Sequence, residues 1–424
     1  MDDASQQPPD SLSGLPLKPR LALLHYSAPP VTGGVESVLG EQAGRLAAAG
    51  YDVRMIAGRG DGELLPELDT AHPRVRRLFR ELLAGRGSET EFRELSSTIA
   101  GSLQPLLADR DCVIVHNVLS MPFNLPFTAA LLASRRRLVA WVHDVVIRDD
   151  DGSPVESVNY PFSLINQRQP GVSYVAISET RREDLRRLWR EPEAKAEVVP
   201  NGIDSQRFAG LSRKLMGLLS PIPVDRAWPL ILIPQRVTEN KRIELALAAA
   251  AQLRQRLPRL TVLVTGPSDP HSHQGELLSQ LLRRRQELGL NGTVYFLAEQ
   301  AVAGRAHPIN ADDIAMLYRL SDVVLLTGRA EGFGLPLLEA ALSRVPVVCA
   351  ALPVFQEISG GEIYPFPVSG DPASIAEALL KALDTVVARG RRHALQRYSW
   401  PVVMEQLEAV IAGAVAARGV AAAP

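Results

Sequence analysis

Residues 323–339 read Val-Val-Leu-Leu-Thr-Gly-Arg-Ala-Glu-Gly-Phe-Gly-Leu-Pro-Leu-Leu-Glu, and they indicate the fold class more clearly than the rest of the sequence. Its apolar run Val323–Thr327 predicts a buried strand, and the segment from Pro336 predicts a helix with proline in its first turn. The two glycines between them allow a tight turn and a close approach of the backbone to a ligand. A buried strand, a glycine turn and a helix in succession are typical of a parallel α/β sheet.

The same turn predicts an anion-binding site, because the free N–H groups at the start of a helix can hold a phosphate. Glu331 lies before the turn, and Glu339 lies about one helical turn inside the helix. Carboxylates placed this way suit a ligand with a central phosphate and hydroxyl-rich ends, such as a nucleotide-sugar. From these residues alone, a capping role for Glu331 and a plain glycine loop explain the pattern equally well.

The composition narrows the class of protein. A chain of 424 residues is too long for one ordinary domain, so two or three domains are expected. The 46 basic and 47 acidic residues give a net charge of −1, which argues against a dedicated nucleic-acid binder. Cys112 and Cys349 lie in apolar runs, as reduced, buried cysteines of a cytoplasmic protein do. No cysteine or histidine cluster in the sequence has zinc-site spacing, so we expect no metal site.

The two ends of the chain predict no membrane anchor. Residues 1–19 are polar and proline-rich, without the apolar core of a signal peptide, and we expect a disordered lead-in. The stretch Ala409–Pro424 is interrupted by Arg418 and makes a poor membrane span. The arginine-rich segment Arg181–Arg190 could touch an anionic membrane, but a solvated helix fits the neutral overall charge better. We therefore expect a soluble, cytoplasmic protein.

Short apolar runs alternate with helical patterns along the chain, and this alternation predicts two doubly wound α/β domains. The predicted strands are Leu21–Tyr26, Asp52–Ala57, Cys112–His116, Leu138–Val142, Tyr174–Ile177, Glu197–Val199, Leu230–Ile233, Thr261–Thr265, Val294–Phe296, Val323–Leu326 and Val345–Cys349. The predicted helices are Val35–Ala49, Thr180–Trp189, Arg242–Arg256, Glu276–Leu288, Asp312–Leu320, Leu337–Ser343 and Pro372–Ala388.

The predicted domains are residues 20–210, with a C-terminal helix within 398–424 packing back on them, and residues 211–397. Pro200-Asn-Gly-Ile-Asp204 lies at the junction, where Asn-Gly favours a turn and Asp204 is available as a helix cap. Ligands of open α/β sheets bind beyond the carboxyl ends of the strands. Two such domains would therefore enclose one shared cleft, a natural place for a two-substrate reaction.

Three further loops after predicted strands carry residues suited to a phosphate or a sugar. Gly33 and Gly34 precede a helix and could let the backbone approach a ligand. His143 and Asp144 follow the strand Leu138–Val142, at the ligand edge of the sheet. In the third loop, Arg236 and Lys241 stand five residues apart after another strand and could clamp a diphosphate. Each feature alone also fits a plain turn, a structural histidine or a solvated basic loop.

Together the motifs resemble the retaining glycosyltransferases of family 4, which have two Rossmann-like domains in the GT-B arrangement. The E-x7-E signature at Glu331 and Glu339, the Arg and Lys pair, the strand-end His-Asp, the Gly-Gly loop and the PNGID motif occur in the family's order over roughly residues 20 to 412. The chain departs from the family pattern at Gln235 and Arg242, where family members usually have glycine, and at Gly328, where they more often have serine after proline.

The resemblance implies that the second domain binds a nucleoside-diphosphate sugar and that the first domain mostly binds the acceptor. It implies transfer with retention, catalytic roles for His143, Asp144, Arg236, Lys241 and Glu331, and no required metal or cofactor. His143 would orient the sugar, Glu331 would hold its hydroxyls, and Glu339 would hold the ribose. The donor-binding residues that it implies are Gly33, Gly34, Arg236, Lys241, Gly266, Glu331, Phe333, Gly334, Leu335 and Glu339.

The acceptor is the least determined part of the prediction. We expect the segment Val145–Gly171, which includes Tyr160, to set its specificity, with His116 and Asn117 at another strand end facing it. We expect a hexosyl group from a donor of the UDP-glucose or GDP-mannose type and a soluble hydroxyl acceptor, a small sugar or sugar acid. A nucleotide-sugar epimerase, a phosphorylase and a non-catalytic nucleotide-sugar-binding protein are the alternatives. The sequence leaves the oligomeric state open.

Overall fold

A computed structural model of the protein describes residues 18–146, 159–266, 276–300 and 309–417. The chain forms two compact units, one up to Asn201 that resumes at Met404, and another at Gly202–Val403. The predicted lead-in lies almost wholly outside the described residues, as do residues 147–158 of the predicted specificity segment. In the described part of the chain, none of the helices combines the length and the apolar character needed to cross a membrane.

The first unit is built on a sheet of seven parallel strands in the order β3-β2-β1-β4-β5-β6-β7. Every residue of β1, β4 and β5 is buried, as expected for central strands of a parallel sheet covered on both faces. The strands are β1 Leu21–His25, β2 Val53–Ala57, β3 Glu63–Leu64, β4 Cys112–His116, β5 Leu138–Val142, β6 Val172–Ala176 and β7 Glu197–Val198. The helices are α1 Gly34–Ala48, α2 Pro73–Leu83, α3 Glu89–Leu107, α4 Leu125–Ala133, α5 Ser163–Asn166 and α6 Glu179–Trp189.

The second unit is built on a sheet of six parallel strands in the order β10-β9-β8-β11-β12-β13. The strands are β8 Leu230–Ile233, β9 Thr261–Val264, β10 Val294–Phe296, β11 Val323–Leu326, β12 Val347–Ala350 and β13 Tyr364–Phe366. The helices are α7 Ser205–Phe208, α8 Arg213–Leu219, α9 Ile243–Arg254, α10 Glu276–Glu287, α11 Ala311–Leu320, α12 Leu335–Leu342, α13 Pro353–Ser359, α14 Pro372–Leu383 and α15 Val386–Tyr398. Because strand order reverses between β8 and β11, the loops after these two strands lie side by side at the switch point.

The predicted fold class, two Rossmann-like α/β units, is confirmed. All predicted strands are present, and their ends differ by a residue or two, as where Val345–Cys349 is found at Val347–Ala350. The prediction of one helix over Pro372–Ala388 is wrong. The helix ends at Leu383, and the Thr385 side chain caps a new helix by accepting from the N–H of Ala388.

The segment that follows Asn201 packs into the hydrophobic core of the second unit. Ala209, Leu211 and Leu215 belong to the hydrophobic core of the second unit, so the chain joins that core soon after Asn201. Asp204 caps α7 as predicted, its Oδ1 accepting from the N–H of Arg207 at 3.0 Å.

The last helix, α16, spans Trp400–Ala416. A Cβ on Gly202 would lie 2.3 Å from the Trp400 ring, which explains the glycine of the PNGID motif. Farther along, Glu408 pairs with Lys18 at 3.2 Å, and Arg137 donates to the carbonyl of Ala417 at 3.2 Å.

Candidate active site

An ion pair joins the loops after β8 and β11 in the second unit. The Nζ atom of Lys241 lies 2.7 Å from Oε2 of Glu331, and 21% and 18% of the two side chains are exposed. Since β8 and β11 are neighbours, the two predicted site residues meet although they are far apart in the chain. Lys241 keeps two further N–H donors for a ligand.

Three hydrogen bonds fix the two loops around this pair. The Thr327 hydroxyl donates to the carbonyl of Lys241 at 2.6 Å, and the N–H of Arg329 donates to the carbonyl of Asn240 at 3.0 Å. The guanidinium Nε of Arg329 donates to Oδ1 of Asn240 at 3.1 Å. A Cβ on Gly328 would come within 3.3 Å of the Asn240 carbonyl oxygen, so this glycine permits the close approach.

Arg242 adopts a left-handed backbone conformation, with φ of 49°, where the family usually has glycine. A non-glycine residue in this conformation costs about 1–2 kcal/mol. The guanidinium of Arg242 donates to the carbonyls of Val368 at 2.6 Å and Ser369 at 2.8 Å, and these bonds offset the strain. With Arg242 in this conformation, the neighbouring Lys241 pairs with Glu331 at 2.7 Å.

Arg236 lies exposed on the same loop, and within the described residues its guanidinium has no carboxylate partner. Gly266 follows β9 and packs against this loop, because a Cβ on it would lie 2.0 Å from the Gln235 carbonyl oxygen and 2.5 Å from Cα of Arg236. Packing thus requires a glycine at position 266, and the backbone there lies beside Arg236.

The turn before α12 leaves the start of that helix free of a side-chain cap. Gly334 occupies the N-cap position with φ of 102°, a left-handed conformation that favours glycine. Phe333 and Leu335 beside it have exposed side chains. The capping explanation for Glu331 is wrong, since its carboxylate accepts from Lys241 and from the N–H of Gly332 at 3.2 Å.

Glu339 lies exposed on α12, and a buried tyrosine fixes its carboxylate. The Tyr318 hydroxyl donates to Oε2 of Glu339 at 2.7 Å. Burial and this hydrogen bond to a carboxylate raise the pKa of Tyr318 far above its ordinary value, so the hydroxyl keeps its proton and remains a donor. Tyr318 was not predicted from the sequence, because a tyrosine in an apolar helical pattern indicates only core packing.

The site residues of the first unit lie around three histidines at the ends of adjacent strands. His25 ends β1, His116 ends β4, and His143 follows β5, and these strands are neighbours in the sheet. The Nδ1 atom of His116 lies 2.9 Å from Nε2 of His143, with the rings stacked at 5.2 Å between centroids. The Nδ1 atom of His25 lies 2.9 Å from the carbonyl oxygen of His116. His25 was missed, although its place at a strand end is the same signal that identified the other two.

Burial keeps all three histidines neutral near pH 7. It lowers the pKa of His143 to about 3, with a smaller contribution from the nearby His25. The pKa of His116 is well below the ordinary value for the same reason, and the pKa of His25 is also lowered, although the His116 carbonyl and Glu36 oppose the shift. His143 is therefore an uncharged ring, and 5% of the residue is exposed.

His116 is fully buried, so its side chain supports His143 and presents no face to an acceptor. Asn117 is also buried, in a left-handed conformation with φ of 60°. Its Oδ1 accepts from the N–H groups of His143 at 2.8 Å and of Asp144 at 3.1 Å. The structure thus places both predicted acceptor residues behind the His143 loop, while the side chain of Asp144 lies exposed.

The Gly-Gly loop approaches a carboxylate that the sequence did not single out. A Cβ on Gly33 would lie 2.0 Å from Oε2 of Glu36, so a larger residue at this position would displace the flexible Glu36 carboxylate. The Ser27 hydroxyl donates to Oε1 of Glu36 at 2.6 Å, and Nε2 of His25 lies 4.0 Å from the same oxygen. No described atom lies within 4 Å of a Cβ on Gly34, which leaves room beside that glycine for a ligand.

Two family models match the chain. Glycosyltransferase Family 4 matches residues 32–207, and Glycosyl transferases group 1 matches residues 223–399. This chain is a family 4 glycosyltransferase. Its two Rossmann-like units are those of the GT-B fold.

Two named relatives align with almost the whole length of the chain. A D-inositol 3-phosphate glycosyltransferase of Salinispora arenicola is 27% identical, over 93% of this chain and 90% of that protein. A phosphatidyl-myo-inositol mannosyltransferase of Mycobacterium leprae is 25% identical, over 89% of this chain and 92% of that protein. A crystal structure of a glycosyltransferase from Rickettsia africae covers 94% of this chain and all of that one, with 18% identity and a TM-score of 0.38.

The first unit of the glycosyltransferase also contains a groove of about 560 Å³ beside Tyr160. The Tyr160 ring is 56% exposed and meets the edge of Phe92, with 5.3 Å between ring centroids. The groove includes Ser88 at the start of α3, and it lies at the carboxyl edge of the sheet, since α3 leads back to the start of β4 and Tyr160 follows β5. Of the three predicted acceptor residues, Tyr160 lines this groove.

Among the described residues, no group of three or more histidine, cysteine, aspartate or glutamate side chains is arranged to hold a metal ion. Of the three strand-end histidines, His116 and His143 meet ring to ring, and the His25 ring meets the backbone carbonyl of His116. On the loop after β8, Arg236 and Lys241 could neutralise a phosphate beside Glu331.

Proposed function

We propose that the enzyme transfers a hexosyl group, with retention, from a nucleoside-diphosphate sugar of the UDP-glucose or GDP-mannose type to a hydroxyl of a small polar acceptor. The observation that carries this proposal is the Lys241–Glu331 ion pair on the same loops as the exposed Arg236. It combines two cations for a diphosphate with a carboxylate for sugar hydroxyls.

The diphosphate binds between Arg236, Lys241 and the start of α12. Arg236 offers a fork of N–H donors, and Lys241 offers the two donors that Glu331 leaves free. The uncapped N–H groups at Gly334 and Leu335 add the partial positive charge of a helix N-terminus. Glu331 accepts from hydroxyls of the transferred sugar, and Glu339 accepts from the ribose. We propose that these groups supply the neutralising charge without a bound metal.

Retention follows from attack on the face that the diphosphate leaves. The acceptor oxygen forms a bond to the anomeric carbon as the bond from that carbon to the phosphate oxygen breaks. The acceptor proton passes to the departing phosphate oxygen, so no covalent intermediate with the enzyme forms. His143, neutral and held by its neighbours, orients the transferred sugar by hydrogen bonding. Electrostatic stabilisation of the leaving group supplies most of the catalysis.

The acceptor binds in the groove beside Tyr160. An exposed aromatic ring supported by Phe92 offers a flat apolar surface to one face of a sugar ring, and the hydroxyl of Ser88 offers a polar contact. Relatives named for inositol 3-phosphate and phosphatidyl-inositol acceptors favour a ring that carries several hydroxyl groups. We propose a small sugar or sugar acid as the natural acceptor, and the names of these relatives add inositol phosphates as acceptors to test.

A donor screen followed by product analysis tests this function. A ligand that binds the folded state raises the melting temperature, so a panel of UDP-, GDP- and ADP-sugars identifies the donor by thermal shift. The selected donor is then incubated with sugars, sugar acids and inositol phosphates, and the anomeric configuration of the product is determined by NMR. A retained configuration with EDTA present supports the proposal. An inverted product would contradict it, as would binding of no donor.

A further inference from the structure

The second unit has a basic groove separate from the loops that hold Lys241 and Glu331. Two adjoining cavities of about 410 and 430 Å³ share Trp228, Arg256, Leu257 and Arg392. They form one continuous depression between the turn after α9 and the helices α14 and α15, which we call the arginine groove. Its floor is apolar, with Trp228 buried and Leu257 half-buried.

The arginine groove lies at the opposite edge of the sheet from the donor loops. The turn that contains Arg256 leads from the end of α9 to the start of β9, and Trp228 precedes β8 by two residues. Lys241 and Glu331 instead follow the ends of β8 and β11. Strands of four residues are about 13 Å long, so one small ligand cannot occupy both edges.

The groove concentrates positive charge that no carboxylate neutralises. Of its acidic residues, Glu377 pairs with Lys381 at 2.7 Å, and Asp384 pairs with Arg389 at 2.9 Å. Four other arginines line it and have no carboxylate partner in the described part of the chain. They are Arg256, Arg259, Arg392 and Arg397. The whole chain carries a net charge of −1, so this excess is local.

The negative ends of two helices neutralise only part of this positive charge. The carboxyl ends of α9 and α14 both lie at the groove, and each helix end carries about half a negative charge. Together the two helix ends offset about one of the four positive charges. Arginines scattered on a convex surface would be solvated singly, whereas these converge on a concave, partly apolar site.

We propose that the arginine groove binds a small anion with two or more phosphate groups, at a site distinct from the donor site. Guanidinium groups bind phosphate through two parallel hydrogen bonds, and four of them match the charge of a di- or triphosphate. Each cavity falls in the range of about 300–1,000 Å³ typical of small-molecule sites. An inorganic polyphosphate and a nucleotide share this chemistry. A nucleotide would also place its base on Leu257 and Leu380.

Calorimetric titration of the full chain with tripolyphosphate and with ATP tests the proposal. We expect the double variant Arg256→Ala/Arg392→Ala to lose at least tenfold in affinity for both probes. The control Arg213→Ala/Arg283→Ala removes two exposed arginines of the same unit outside the groove and should bind as wild type does. Lys241→Ala should retain the groove site. Equal affinity for the two probes indicates recognition of the phosphate chain alone, and tighter ATP binding indicates a nucleotide.

Three results would overturn the proposal: unchanged binding in Arg256→Ala/Arg392→Ala, equal loss in the control double variant, or loss in Lys241→Ala alone. The second result would mean that overall charge attracts the probes, and the third that they bind only at the donor loops. Melting temperatures show whether each variant is folded, and the single variant Arg392→Gln replaces the double variant if it is not. Sugar transfer is a separate measurement, so failure of the proposed function would leave these results interpretable.

Discussion

The carboxyl edges of the two sheets differ in charge although the two units share a fold. In the second unit, Arg236, Lys241 and Glu331 present charges on loops that remain partly open to solvent. In the first unit, three strand ends present histidines that burial holds neutral. The cations of the second unit suit the growing charge of a departing diphosphate, whereas the neutral histidines of the first unit suit hydrogen bonds to hydroxyl groups. The two units share an architecture, so the residues at their strand ends and the burial of those residues determine which ligand groups each unit can bind.

The largest effect is expected at the charged edge. Arg236→Ala and Lys241→Ala should each lower turnover by about a hundredfold or more, comparable to the loss of one oxyanion-stabilising donor. Initial rates of transfer at saturating donor and acceptor measure this. Lys214→Ala is the matched control, because Lys214 also pairs with a carboxylate, Asp313, at 2.9 Å, away from these loops. Near-normal turnover in both test variants would refute the diphosphate clamp.

The buried neutral histidines of the first unit should make the folded protein less stable in acid. The folded pKa of His143 is about 3, below its ordinary 6.5, so between these values the unfolded chain binds a proton that the folded chain does not. Stability is therefore fully present above about pH 6.5 and falls as the pH is lowered, by about 1.4 kcal/mol per pH unit for each such histidine. His25 and His116 shift in the same direction, and Glu36 is the acidic group facing His25.

Urea unfolding at pH 7.5 and pH 5.5 tests this sign. We expect the urea midpoint of wild type to fall at the lower pH. The midpoint of the His116→Phe variant should fall by less, because one buried histidine has been removed. His393→Ala removes an exposed histidine and should behave as wild type does. A midpoint that rises on acidification would show that the histidines are not buried as neutral rings.

A smaller effect on turnover is expected from the hydrogen bond between His116 and His143. His116→Phe should lower turnover by about tenfold, since it removes one intramolecular hydrogen bond that fixes the His143 ring. The affinity for the nucleoside diphosphate should not change. His116→Asn keeps a polar group at this position and should restore part of the rate. If Phe and Asn variants transfer equally fast, the hydrogen bond does not position His143.

The smallest effect concerns the left-handed residue beside Lys241. Arg242→Ala loses the bonds to Val368 and Ser369 and keeps the backbone strain, whereas Arg242→Gly loses the same bonds and relieves the strain. We expect the glycine variant to be more stable than the alanine variant by about 1 kcal/mol in urea unfolding. Equal stabilities would mean that the left-handed conformation carries no strain at this position.

Most of the fold could be predicted because its strands are short apolar runs between helical patterns. Several of the missed elements lack that signal, although α3, with buried Phe92, Leu95, Ile99 and Leu103, has it and was missed. Strand β3 is two exposed residues, β13 contains a proline, and α2 is rich in arginine. The break between α14 and α15 depends on the Thr385 cap, which one continuous apolar pattern conceals.

The site residues at strand ends could be predicted individually, but their pairing could not. The sequence identifies Lys241 and Glu331 as separate loop residues, and only the neighbouring positions of β8 and β11 bring them to 2.7 Å. His116 and Asn117 were predicted to face an acceptor. Exposure depends on packing around the strand end, and there both side chains are buried.

Calorimetric binding of the nucleoside diphosphate released from the donor tests most directly which residues hold the diphosphate at the donor site. We expect Arg236→Ala and Lys241→Ala to weaken binding at this site by at least tenfold, and His143→Ala to bind as wild type does, because the loops after β8 and β11 carry the charges that hold the diphosphate there. The diphosphate clamp would be contradicted if all three variants bound alike, or if His143→Ala alone lost affinity.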